Sequence, residues 1–293
     1  MVKILKKYNF NYLLLTGATI FCCTMSIYTI ISKFYSNEIN SLSRFDSINN
    51  YYLLIFSALV IAPIFEELFF RGYFTNNSFL KIFSFAGCSF YIYVTDNSYL
   101  YIFVFILVFL HFVKKINRIY FYVFNSVLFS LVHYKLYDFK SIITIIPMFF
   151  QFSFGLILIW VILNFNLFKS IITHFLFNLF FIIILTFPLQ FPQKENKNFD
   201  YLGYNISSSK TPFFKNKNTI ISRPNDYTIS AENVDIIKFY NSFDSNSKHI
   251  KINADNKFYK FKIYIKRIDS TANKLDTKTI ELLLKKANLI ENK

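Results

Sequence analysis

The first two-thirds of this 293-residue chain is a succession of apolar runs, at roughly 12–32, 51–70, 79–95, 99–113, 119–134, 142–163 and 169–189. Several reach the ~20 residues a helix needs to cross a hydrocarbon core of about 30 Å. Lipid offers no water to unpaired backbone groups, so spanning segments are helices or closed barrels. The alternating pattern of a membrane barrel is absent. The runs predict an all-α multi-pass membrane helix bundle of about six to eight spans over residues 1–193.

Charge divides at the same place. Residues 1–193 hold only six Asp and Glu, whereas residues 194–293 hold 11, with 19 Lys and Arg. Pro188 and Pro192 stop the last apolar run. The Asn-, Ser- and Lys-rich stretch 194–225 reads as linker. Beyond it, 226–293 reads as a small soluble α+β appendage. Ile250 and Ile252, a turn at "NADN", and Tyr259, Phe261, Ile263 and Ile265 suggest a hairpin, with Lys260, Lys262 and Lys266 on its other face. Asp276 is placed to cap a helix that puts Ile280, Leu283, Leu284 and Ala287 on one side.

The basic N-terminus, with Lys3, Lys6 and Lys7 before an apolar run, lacks an A-x-A-like cleavage site before Lys33, which favours an uncleaved first helix. The formal net charge of +15 does not argue for nucleic acid. Those lysines and the run Lys114, Lys115, Arg118 read as topology determinants beside anionic lipid. Cys22, Cys23 and Cys88 all lie in apolar runs and read as small buried hydrophobes. The abundance of Ile, Phe, Asn and Lys fits an AT-rich genome, which points to a bacterial cytoplasmic membrane.

Against this background Glu66 and Glu67, in "IAPIFEELFFRGYF", are out of place. Glu38, Asp46, Asp96 and Asp138 fall in or beside expected loops. A carboxylate within a spanning helix costs at least ~2.5–3.5 kcal/mol on insertion scales and is by default functional. On a helix Glu67 and Arg71 are four apart and can pair. Glu66 is turned about 100° away. The spacing fits a structural Glu67–Arg71 pair with Glu66 free for chemistry, and equally a clamp between helices made by all three. "SVLFSLVHY" puts Phe129 and His133 four apart, and "THFLFNLFF" does the same for His174 and Asn178. His111, beside Lys114 and Lys115, reads as interfacial, and His249 as a solvated surface residue. Counting spans sets His133 and His174 at opposite faces, unless both lie near mid-depth or 142–163 is not a single crossing.

"EELFFR", "FSLVH" and "HFLFN" have the forms E-E-x-x-x-R, F-x-x-x-H and H-x-x-x-N. In order and type they resemble the CAAX protease and bacteriocin-processing family of intramembrane glutamic endopeptidases, over roughly residues 51–189. The resemblance implies that Glu66 activates a water with help from His133. It implies that His174 and Asn178 stabilise the oxyanion, while Glu67, Arg71 and Phe129 support the site. It implies no metal or other cofactor, a peptide or membrane-protein substrate, and no oligomeric state. Relative to that core, the runs 79–95 and 99–113 read as an inserted helical hairpin. The principal alternative is a non-catalytic membrane protein of the same fold, such as a bacteriocin-immunity factor or scaffold. A proton-coupled transporter and a zinc peptidase are further alternatives, although no H-E-x-x-H motif is present.

Overall fold

The computed structural model describes residues 11–34, 50–113, 118–135, 139, 142–193, 196–214, 218–243, 252, 256 and 259–291. Among the described residues seven longer helical elements come first. They are α1 (Asn11–Phe34), α2 (Tyr51–Phe74), α3 (Ser78–Val94), α4 (Tyr101–Phe112), α5 (Arg118–Leu131), α6 (Ile142–Asn164) and α7 (Leu167–Gln190). Among the described residues four segments are long and apolar enough to cross a membrane: Asn11–Ile30, Tyr51–Phe74, Ile145–Asn164 and Leu167–Gln190. The expected six to eight spans are not confirmed among these residues. The runs 79–95, 99–113 and 119–134 yield helices of 17, 12 and 14 residues. At about 1.5 Å per residue, none matches a core of about 30 Å. Apolar side chains there continue through turns, so the length of a run overstates the helix.

The chain divides into two compact units, one holding residues 11–34 and 55–180, the other 50–54 and 181–291. In the first, α6 packs between α1 and α5 through small residues. A side chain at Gly17 would meet Ile157 and the Ser153 carbonyl at 2.9 Å, and one at Gly155 would meet Ser126 and Phe129 at 3.2–3.3 Å. Without a hydrophobic drive between helices in lipid, such close approach is what holds them.

The helix that carries the glutamates is not uniformly wound. Within α2, Ser57–Ile61 and Glu67–Arg71 are π-helical and Gly72–Phe74 is 3₁₀. At the first π turn the Ala62 N–H reaches back to the Ser57 carbonyl. The residue that would next fill the Ala58 carbonyl is Pro63, which has no N–H. The Asn178 amide supplies the missing hydrogen, Nδ2 to Ala58 O, 2.8 Å. Near the second change of winding, the Phe69 carbonyl accepts from the Ser84 hydroxyl and the Cys88 thiol, and the Phe70 carbonyl accepts from Asn125 Nδ2 at 2.9 Å.

In the second unit an antiparallel five-stranded sheet has the order β1-β2-β5-β4-β3. Its strands are β1 (Lys197–Tyr201), β2 (Tyr204–Thr211), β3 (Ile220–Asn225), β4 (Thr228–Val234) and β5 (Lys260–Arg267). Ile206, Ile229, Ala231, Ile263 and Ile265 pack with α8 (Ile236–Asn241) and α9 (Thr277–Lys286). Three strands thus occupy the segment 194–225 that was read as linker. Its polarity is that of strands with one solvated face, as the alternating burial of β2 shows. The hairpin is corrected as well. β5 has Phe261, Ile263 and Ile265 buried as expected, but it pairs with β2 and β4, while Ile252 bridges Ile290. Ile250 and most of "NADN" lie outside the described residues, as do His249, Lys3, Lys6, Lys7, Lys114, Lys115, Glu38, Asp46 and Asp138.

Asp276 caps α9, accepting from the Thr279 N–H at 2.7 Å. Hydrogen bonds from Thr279, its side chain first and its backbone second, hold the Asp276 carboxyl below the usual range. The capping stability is therefore fully present above the ordinary aspartate value of about 3.9 and is lost as pH falls through the lower folded value. Asp276→Ala should cost about 1 kcal/mol locally. In the intact protein at neutral pH, amide hydrogen exchange in α9 should quicken roughly fivefold. That difference should vanish in acid, and equal exchange at neutral pH would show that the cap contributes nothing.

Candidate active site

Glu66 and Glu67 follow one another at the change from α to π winding in α2. Both are buried, Glu66 at 5% exposure and Glu67 at 0%. Successive helical positions point in different directions, so the two carboxylates meet different partners.

Both oxygens of Glu67 are occupied. Oε2 accepts from the Ser170 hydroxyl at 2.5 Å, and Oε1 accepts from His174 Nδ1–H at 3.0 Å. Arg71 NH1 lies 3.7 Å from Oε1. The fully buried Arg71 guanidinium has no hydrogen-bond partner among the described residues, and its carbon sits 3.8 Å over the Phe129 ring. Its charge is met by Glu67 and by the aromatic face.

Glu66 is held differently. Oε1 accepts from the Tyr91 hydroxyl at 3.2 Å. Oε2 faces two imidazoles, His133 Nε2 at 3.6 Å and His174 Nε2 at 3.8 Å. Both distances are too long for direct hydrogen bonds. His133 is 24% exposed at its side chain, against 5% for His174.

The far nitrogen of each imidazole fixes its tautomer. α5 ends at Leu131, and the His133 N–H turns to the Ser130 carbonyl. The Phe129 carbonyl then accepts from His133 Nδ1–H at 2.7 Å. The F-x-x-x-H spacing thereby serves two ends, since the Phe129 ring lies under Arg71 and its carbonyl orients His133. At His174 the Nδ1–H is taken by Glu67. In the neutral rings both Nε2 atoms carry lone pairs, directed at a carboxylate oxygen that is also an acceptor. A water has two hydrogens to give, so about 2.8 Å from each it would bridge two of these acceptors, Glu66 Oε2 and His133 Nε2.

The structure thus brings Glu66, Glu67, Arg71, Phe129, His133 and His174 together. Asn178, one turn beyond His174, has its described bond to Ala58 rather than to Glu66 or a histidine. His133 and His174 meet at one carboxylate because α5 is short and His133 lies just past its end, so counting apolar runs misplaced it. Tyr91 and Ser170 were missed. Ser170 was visible in principle, being four residues before His174 on the face that also carries Asn178. Tyr91 gave no signal, since "FYIYV" is one more aromatic stretch among many. The α3–α4 segment does form a hairpin as expected, but its helix α3 contributes directly to the site. His111 pairs with the Tyr73 hydroxyl at 2.8 Å and meets the Phe85 ring edge-on at 6.0 Å.

Residues 48–180 match the family described as type II CAAX prenyl endopeptidase Rce1-like. That family is part of the CAAX protease and bacteriocin-processing group, and residues 48–180 are similar to it. It is a protease family, and the matched segment holds every residue of the carboxylate–histidine cluster. Searches of curated proteins and of solved structures each returned no match. With four segments among its described residues long and apolar enough to cross a membrane, the chain reads as an integral membrane protein.

Two stability outcomes follow. Arg71→Ala leaves Glu67 as a buried charge without its cation, which should cost about 3–5 kcal/mol and lower the thermal midpoint in detergent. An unchanged midpoint would show that the pair is not structural. Asn178→Ala orphans the Ala58 carbonyl at a cost of about 1–3 kcal/mol. In a Pro63→Ala background a backbone N–H can take that carbonyl, so the same substitution should cost measurably less.

Proposed function

We propose that the protein is an intramembrane endopeptidase that hydrolyses a peptide bond with a water activated by Glu66. The observation that supports this reading best is the unequal treatment of the two carboxylates. Glu67 has both oxygens bound, whereas Glu66 keeps one oxygen aimed at two imidazole nitrogens across a gap that suits water.

A water held by Glu66 Oε2 and His133 Nε2 attacks the scissile carbonyl carbon, and its proton passes to Glu66. The new C–O bond places charge on the carbonyl oxygen. His174, once it has taken a solvent proton at Nε2, donates to that oxygen from Nε2 while Nδ1–H stays on Glu67, and it keeps that proton when the carbonyl re-forms. Asn178 has a second amide hydrogen beyond the one on Ala58, and this completes the oxyanion's donors. One such donor is worth roughly 3 kcal/mol in a dry site. As the C–N bond breaks, the proton held by Glu66 passes to the leaving amine. The substrate is a peptide or membrane protein, met within a bacterial cytoplasmic membrane.

The test is cleavage by protein purified in detergent, using two quenched fluorescent peptides, one ending in a prenylated Cys-a-a-X and its unprenylated counterpart. Glu66→Gln and His133→Ala should each lower turnover by at least about 10³-fold, with the thermal midpoint preserved. Wild-type turnover in Glu66→Gln would overturn the assignment. A cellular phenotype that survives Glu66→Gln but not removal of residues 195–293 would favour the scaffold reading instead.

A zinc peptidase has one observation in its favour, the two Nε2 lone pairs converging on a carboxylate. Among the described residues, however, no group of three or more His, Cys, Asp or Glu is arranged to hold a metal ion. Chelators should leave cleavage unchanged. Near-stoichiometric zinc, lost together with activity and restored by adding zinc, would establish the metal route.

A further inference from the structure

Building on the protease reading, we propose that Tyr91 is a positioning residue for Glu66, and that the α3–α4 hairpin which carries it is a working part of the site. A glutamate carboxylate rotates easily about its last torsion, with broad and roughly two-fold preferences. Left alone, either oxygen could face the imidazoles, and the group could swing away from both. The Tyr91 hydroxyl donates to Oε1 at 3.2 Å and so leaves Oε2 for His133 and His174. Its phenol ring is itself fixed. The ring meets Phe70 edge-on at 5.9 Å and Phe69 at 6.4 Å.

The hairpin holds the opposite partner too. Asn97 Nδ2 donates to the Val132 carbonyl at 3.2 Å, the Tyr99 hydroxyl to the Tyr134 carbonyl at 3.1 Å, and the Lys135 ammonium to the Thr95 carbonyl. These bonds bracket His133 on both sides. The same hairpin is seated on α2 through Ser84 and Cys88 at the Phe69 carbonyl, and through Gly87, where any side chain would strike the Phe69 ring. One rigid piece therefore sets the carboxylate on one side and the imidazole on the other, which is the geometry a shared water requires. Tyr91 touches neither water nor substrate in this scheme and acts through Glu66.

The experiment compares wild type, Tyr91→Phe, Tyr93→Phe and Glu66→Gln in the same peptide-cleavage assay, with thermal midpoints recorded for all four. Tyr91→Phe removes only the hydroxyl. It should lower kcat about 10- to 100-fold, the equivalent of one hydrogen bond to a charged group. KM should stay within about twofold and the midpoint should hold. Tyr93 lies two residues on and is exposed, and its Phe variant should match wild type. If wild type cleaves, Glu66→Gln does not, and Tyr91→Phe keeps full kcat, the positioning role is overturned while the protease reading stands. A rise in KM or a fall in midpoint in place of a kcat loss would equally overturn it, leaving Tyr91 as packing. If wild type cleaves neither peptide, the protease reading itself fails and the role of Tyr91 falls with it.

Discussion

Two adjacent carboxylates sit where water is scarce, and the bundle around them is arranged to meet their demand for donors. Glu67 takes Ser170 and His174 from α7 and Arg71 from its own helix. Glu66 takes Tyr91 from α3 and faces histidines from α7 and from the turn after α5. Burying a charge costs several kcal/mol unless it is paired and hydrogen-bonded. Each of these contacts therefore fixes a helix position as well as a side chain. α6 enters the same arrangement through Gly155, whose missing side chain admits Phe129, the ring that lies under Arg71.

His174 links the two halves of this arrangement. Its Nδ1 is bound to Glu67 and its Nε2 is turned to Glu66, the carboxylate proposed to activate water. A disturbance at Glu67 therefore reaches Glu66 through a single ring. This is a physical reason for the glutamates to be neighbours in sequence, because one imidazole can touch both. It also means that Arg71, remote from the proposed water, would act on the proposed catalysis through the orientation of His174.

Much of the candidate site was legible in the sequence because its spacings are local. Glu67–Arg71, Phe129–His133 and His174–Asn178 are each one helical turn apart, and one turn survives changes of winding. What depended on winding or on tertiary approach was not legible. The π turns of α2 leave no mark on composition. The Asn178–Ala58 bond becomes intelligible only once Pro63 is seen to withhold an N–H from that carbonyl. Tyr91 is indistinguishable from the other aromatic residues of the apolar runs until α3 is docked on α2. The span count is not confirmed, because side-chain polarity reports the medium and not where a helix turns. The 194–225 segment was misread for the converse reason, since a strand with one wet face has the composition of a linker.

The central claim is that Glu66 activates water and does not itself attack the peptide. A single turnover in ¹⁸O-labelled water, with enzyme in excess over a cleavable peptide, tests this directly by mass spectrometry of both product and protein. The account predicts one ¹⁸O atom in the new C-terminal carboxylate of the product and none in the Glu66 side chain. Label in the Glu66 carboxylate would reveal an acyl–enzyme intermediate and contradict it.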